Sequence, residues 1–110
     1  MWSVHILNKT VEYELYSLPE EMQARFLRIV ELIEHYGLTR VGMPHVRHVQ
    51  GKIWEVRLSA KDQIGRGLYV TTSGQRVVVL RFFIKKTQKT PKNEISIAFE
   101  RLENLSNESR

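Results

Sequence analysis

Cysteine is absent from the 110 residues, which excludes disulfides and thiolate metal sites. Long apolar runs are missing too, and nothing approaches the ~18 consecutive apolar residues that a membrane-spanning helix requires. The opening Met1-Trp2-Ser3-Val4-His5-Ile6-Leu7-Asn8 has no basic lead and too short an apolar stretch for a secretory signal, so the expected location is cytoplasmic and no membrane partner is expected. A third absence is local. From Gln63 to Asn93 there is no Asp or Glu, while Arg66, Arg76, Arg81, Lys85, Lys86, Lys89 and Lys92 all fall there. The acids lie elsewhere: Glu12, Glu14, Glu20, Glu21, Glu31 and Glu34 stand against only Arg25 and Arg28 in the same stretch. The net charge of +5 is therefore one-sided, a distribution that attracts phosphates and makes binding salt-dependent. A solvated basic face without a partner would give the same composition.

What is present is globular. Hydrophobic residues make up 42% and charged residues 26%, in a chain long enough for one domain. Residues 1–7 read as a short strand. Val11 to Tyr16 fits either a strand, by strict alternation, or a helix, because Val11, Leu15 and Leu18 form a stripe. Pro19-Glu20-Glu21 starts a helix over 20–36, with Met22, Phe26, Ile29, Ile33 and Tyr36 at helical spacing and Gly37 as its stop. Residues 38–51, with Gly42, Pro44 and Gly51, read as a loop. Three strands in an antiparallel meander are expected over 53–86. Thr90 then caps a helix over 91–103 that begins at Pro91, and 104–110 forms a frayed tail. The fold class is α+β: an antiparallel sheet with an N-terminal helix or helical hairpin and a C-terminal helix packed on one face.

Alternation in the last strand puts Leu80, Phe82 and Ile84 on the core face and Arg81, Phe83 and Lys85 on the other. Arg57 alternates against Trp54, Val56 and Leu58 and should join the second set, unless it pairs with Glu55 or a cross-strand acid. Arg66 shares its parity with Leu68 and Val70 and has no clear face. A basic sheet face with an embedded aromatic suits single-stranded RNA, with cations on the phosphates and a ring on a base. His45 and His48 lack the further ligands a metal site needs, so neither a metal nor any other cofactor is expected.

Three segments carry a resemblance: Trp54-Glu55-Val56-Arg57, then Gly65-Arg66-Gly67-Leu68-Tyr69, then Leu80-Arg81-Phe82-Phe83-Ile84-Lys85-Lys86-Thr87-Gln88-Lys89-Thr90-Pro91. Together they resemble the phage-derived Gp49-like, HigB-like branch of the RelE/ParE toxin superfamily, over nearly the whole chain. That branch typically shows a YElR strand, an RxlY strand and an FxKKTqkTP strand-to-helix junction. The resemblance implies a RelE-like fold and a toxin of a type II toxin–antitoxin system that cleaves mRNA at the ribosome. It also implies a small HigA-like helix-turn-helix antitoxin, with operator DNA engaged only through their complex. Carried onto this chain, it implies Arg57, Arg66, Lys85 and Lys86 as catalytic residues and Arg81, Phe83, Lys89 and Lys92 as RNA-binding ones. Arg81 stands where the family often has a histidine. A gyrase-inhibiting toxin, or a non-catalytic nucleic-acid-binding regulator, would use the same basic face.

Overall fold

The computed structural model describes residues 1–42, 45–86 and 89–108, with side chains in the last helix through Leu105. Within the long strand-to-helix motif, Thr87 and Gln88 lie outside the described residues, as do Met43, Pro44 and the end of the tail. The chain runs β1 (Ser3–Ile6), α1 (Lys9–Tyr16), α2 (Glu20–Tyr36), a 3-10 turn (Leu38–Arg40), β2 (Val46–Gln50), β3 (Ile53–Ser59), β4 (Ile64–Thr72), β5 (Arg76–Lys85) and α3 (Lys92–Glu108).

Residues 11–16, which alternation left open, are helical. The Asn8 side chain accepts from the Val11 N–H at 3.1 Å, and the Val11–Leu15 stripe is buried. Helix α2 follows after a tight turn in which Pro19 O receives the first amides, from Met22 and Gln23. Gly37 ends the helix with φ +88°, a conformation that glycine adopts without a Cβ penalty.

The sheet order is β1-β5-β4-β3-β2. Strands β3, β4 and β5 form the antiparallel meander, and β1 adds to β5 in parallel. Residues 38–51, expected as loop, contain the edge strand β2, paired antiparallel to β3. Its sequence Val46-Arg47-His48-Val49-Gln50 is mostly polar because an edge strand buries little, which hid it.

A second departure concerns the faces. Helices were expected on one side only, but two cores lie on opposite faces of the sheet. Helices α1 and α2 bring Val11, Leu15, Met22, Phe26, Ile29 and Ile33 against Val56, Leu58, Tyr69, Val77, Val79 and Phe82. Helix α3 packs Ala98, Phe99, Leu102 and Leu105 against Ile53, Leu68, Val70, Val78, Leu80 and Phe83. The unbroken run Val77-Val78-Val79-Leu80 is the signature of a strand covered on both faces.

The third departure is the alternation of β5. Tyr69 pairs with Val79 but the adjacent Leu68 pairs with Arg81, so Leu80 is one residue too many. This β-bulge shifts the parity: Val77 and Val79 face α2, Leu80 faces α3, and then Phe82 and Ile84 face α2 again. Leu80 thus parts from Phe82 and Ile84.

Candidate functional site

The face of the sheet under α3 is only half covered. Near α3 it is apolar, from Ile53 to Phe83; beyond Phe83 it turns cationic. The register sets Arg57 opposite Arg66, Arg66 opposite Phe83, and Lys85 opposite Ile64. Arg66 therefore has a face after all. The glycines on either side of it point toward α2, where a Cβ on Gly65 would sit 2.7 Å from Met22 Sδ and one on Gly67 3.0 Å from Val56 Cγ1. The alternation Gly-Arg-Gly lets α2 approach closely on one side while the arginine projects from the other.

These residues line a groove of about 780 Å³, walled by Arg47, Arg57, Arg66, Lys85 and Lys86, with Asp62 and Gln63 of the β3–β4 turn beside them. All four residues expected to be catalytic (Arg57, Arg66, Lys85 and Lys86) come together here. Arg47 joins them from β2 and was not anticipated, because its segment was not recognised as a strand. Arg66 and Lys85 are buried, 3% and 8% exposed, whereas Lys86 is exposed. Burial pushes the Arg66 guanidinium down; Glu55 opposes that shift in part and Arg57 adds to it. Burial also lowers the Lys85 ammonium, reinforced by the nearby Arg66 charge.

Glu55 enters the sequence reading only as an alternative partner for Arg57, not as a residue of the site. It is 1% exposed on β3, two residues before Arg57 and on the same face. Its Oε2 is 3.4 Å from Arg66 Nε and accepts from Thr90 Oγ1 at 2.8 Å, and its Oε1 is 4.0 Å from Arg47 Nε. Thr90, expected to cap α3, instead turns its hydroxyl to Glu55, and Pro91 O receives the first helical amides, from Glu94 and Ile95. The alternative for Arg57, an ion pair with Glu55 or a cross-strand acid, is not made; among the described residues Arg57 has no ion-pair partner and its buried Nε has no hydrogen-bond partner. The sequence offered Glu55 only as an alternative partner for Arg57, and the structure gives it to Arg66.

Two expected RNA-binding residues lie elsewhere. Phe83 is 6% exposed in the core beneath α3, so its ring presents no face for a base. Arg81, expected beside Lys85, shares its face but is held by carboxylates, Glu14 of α1 and Glu94 of α3. Its Nε donates to Glu94 Oε1 at 2.8 Å and its Nη1 to Glu14 Oε2 at 2.7 Å. Arg101 joins from α3, donating to both Glu14 oxygens and to the bulge carbonyl Leu80 O at 2.7 Å. Burial alone would raise the Glu14 carboxyl, but hydrogen bonds from Arg101, the Phe82 N–H and Arg81 hold it below its ordinary value. Arg81 is raised, since its bonds to Glu94 and Glu14 outweigh its burial. Lys89 and Lys92 are exposed at the junction and the first turn of α3 and do not line the groove.

The family model "Phage derived protein Gp49-like (DUF891)" matches residues 13–103, from α1 through the groove strands into α3. The chain belongs to the Gp49-like family. This is a family of RelE/HigB-like toxins. No curated protein matches the sequence. Among solved structures, the Gp49-like chain is similar to a chain of the archaeal RelE–RelB complex from Pyrococcus horikoshii OT3. The TM-score is 0.56 and the identity 23%, covering 74% of this chain and 91% of that one. At that identity the likeness carries the fold, which is RelE-like: a mixed α+β arrangement around the five-stranded sheet.

Proposed function

We propose that this Gp49-like protein is the toxin of a type II toxin–antitoxin pair and an endoribonuclease that cuts mRNA on the translating ribosome. The observation that carries the reading is the gathering of Arg57, Arg66, Lys85 and Lys86 around one groove in which cations exceed acids. In RNA the nucleophile belongs to the substrate. The 2′-oxygen attacks the adjacent phosphorus, the O2′–P bond forms, the P–O5′ bond breaks, and a cyclic phosphate and a free 5′-hydroxyl result. The protein's task is to hold that attack in line and to neutralise the charge on the phosphorane oxygens. Arg66 and Arg57 suit the neutralising role through their planar forks. Lys85, with its proton loosened by burial and by Arg66, suits delivery of a proton to the leaving 5′-oxygen. Lys86, exposed at the groove, meets flanking phosphates, and Lys89 and Lys92 extend that contact along the strand. Arg81 and Phe83 have no part in this scheme, being held in the ion-pair cluster and the core.

The partner in this reading is a HigA-like helix-turn-helix antitoxin, and operator DNA is reached only through the complex with it. The structural neighbour supports an antitoxin partner, since it was crystallised as RelE with RelB. Induction followed by mapping of RNA 5′ ends tests the function. The expected result is growth arrest with cuts inside codons of translated mRNA, lost in Arg66→Ala and Lys85→Ala. Trapped gyrase–DNA complexes without RNA cuts, or salt-dependent RNA binding with no product, would overturn it.

A further inference from the structure

We infer that Glu55 is a positioning residue for the groove, holding the Arg66 guanidinium in one orientation and tying the β5–α3 junction to β3 through Thr90. The inference rests on the nuclease reading for its kinetic consequence, though not for its geometry. Arg66 is held on two sides: Nε lies 3.4 Å from Glu55 Oε2, an ion-pair contact in which the buried Nε makes no hydrogen bond, and Nη1 donates to Gly65 O at 3.1 Å. No hydrogen bond to another of the described residues ties Nη2, which is the end of the guanidinium left to meet a ligand. A guanidinium held along one edge and open along the other has a fixed direction in which to meet a phosphate.

The same Oε2 accepts from Thr90 at 2.8 Å, so one buried oxygen links β3, β4 and Thr90 at the head of α3. A carboxylate buried behind the cations of an anion-binding groove opposes the binding of RNA electrostatically, and electrostatic binding alone would favour a neutral side chain here. Its presence at 1% exposure, with Oε1 left without a hydrogen-bond donor among the described residues, fits a group that orders the cations at a cost in attraction.

This yields a split that a merely structural glutamate would not produce. Glu55→Gln adds one unit of positive charge to the groove and releases Arg66. RNA binding measured by filter retention at fixed salt should tighten several-fold, while kcat for ribosome-dependent cleavage falls by about 10²-fold, the scale of a misplaced catalytic group. Cleavage at the wild-type kcat, or binding and kcat falling together, overturns the proposal. If Glu55→Gln does not fold, Thr90→Val decides. Lower kcat with unchanged KM and Tm, restored by Thr90→Ser, supports the positioning role, and wild-type kinetics refute it. An NMR signal separates this from the nuclease reading. In the wild type the Arg66 Nε–H should give a cross-peak resolved from exposed arginines, and it should merge with them in Glu55→Gln whether or not the protein cuts RNA. A protected Arg66 signal that survives Glu55→Gln overturns the positioning proposal. A wild type that shows the signal but cleaves nothing refutes the nuclease alone.

Discussion

Arg66 on β4 and Arg81 on β5 sit on adjacent, paired strands and on the same side of one sheet, and their guanidinium groups respond in opposite directions. Arg81 meets two carboxylates, with Arg101 sharing one of them, and its proton is held more tightly than in water. Arg66 meets one carboxylate that it shares with Thr90 and Arg47, has Arg57 directly opposite, and holds its proton less tightly. Like charges opposite one another across strands are unfavourable. The difference separates a place where charge is settled within the fold from a place where charge is left for a ligand. Both are arginines in β-strands, and residue type alone could not tell them apart.

That contrast can be broken from either side. The largest expected effect is on the groove: Arg66→Ala or Lys85→Ala should lower kcat by about 10²–10³-fold, as loss of a transition-state charge partner does. The melting temperature should change little in Lys85→Ala, whose buried ammonium has no ion pair among the described residues, whereas Arg66→Ala also leaves buried Glu55 without its nearest cation and should lower it. Arg81→Ala should do the reverse, leaving the chemistry in place and lowering stability. Next comes Glu14, which also accepts from the Phe82 N–H at 3.2 Å. Glu14→Ala leaves Arg81 and Arg101 without it and should cost roughly 2–3 kcal/mol in a denaturant titration. A loss below about 0.5 kcal/mol, the range of ordinary surface substitutions, would mean that the cluster is ornamental.

Gly65→Ala brings a Cβ to 2.7 Å from Met22 Sδ and 3.2 Å from Leu58 O. Overpacking of this kind costs about 1–3 kcal/mol, and Met22→Ala in the same chain should recover part of it if helix proximity is the cause. The smallest effect is in pH. Glu14 is depressed in the folded state, so its contribution is fully present above the ordinary carboxylate value and is lost as pH falls through the lower, folded one. Thermal scans should show a drop in Tm on the acid side that is shallower in Glu14→Gln. An equal drop in both would assign the acid sensitivity to other carboxylates.

Much of this was legible in the sequence because the physics was local. The α2 stripe from Met22 to Ile33 and the parity of Arg57 each follow from periodicity over a few residues, and the structure places both as read. The remainder depended on partners distant along the chain. The bulge at Leu80 is visible only when β4 is laid beside β5, and without it Leu80 is read onto the face of Phe82 and Ile84; Arg81 and Phe83 keep the parity read for them, but α3 covers the face they share. Glu14 lies 67 residues from Arg81, and no window joins them. Glu55 was in view, but choosing between Arg57 and Arg66 as its partner required the diagonal geometry of the sheet. The family resemblance pointed to the groove arginines and lysines, yet it could not reveal that Arg81 had been taken into the fold.

The extra residue at Leu80 also fixes how the chain can change length. Strand β5 behaves as two segments out of phase by one position, each serving a different pair of neighbours. Loss of Leu80 itself would restore a regular ladder and leave Arg81 to Lys85 opposite Leu68 to Ile64, at the cost of a side chain in the α3 core and of the carbonyl that receives Arg101. The stretch after the bulge has no such slack: loss of one residue between Arg81 and Lys85 would turn the lysine toward α2. Length in this strand can therefore vary at its turns and at Leu80, while the count from Arg81 to Lys85 stays constant.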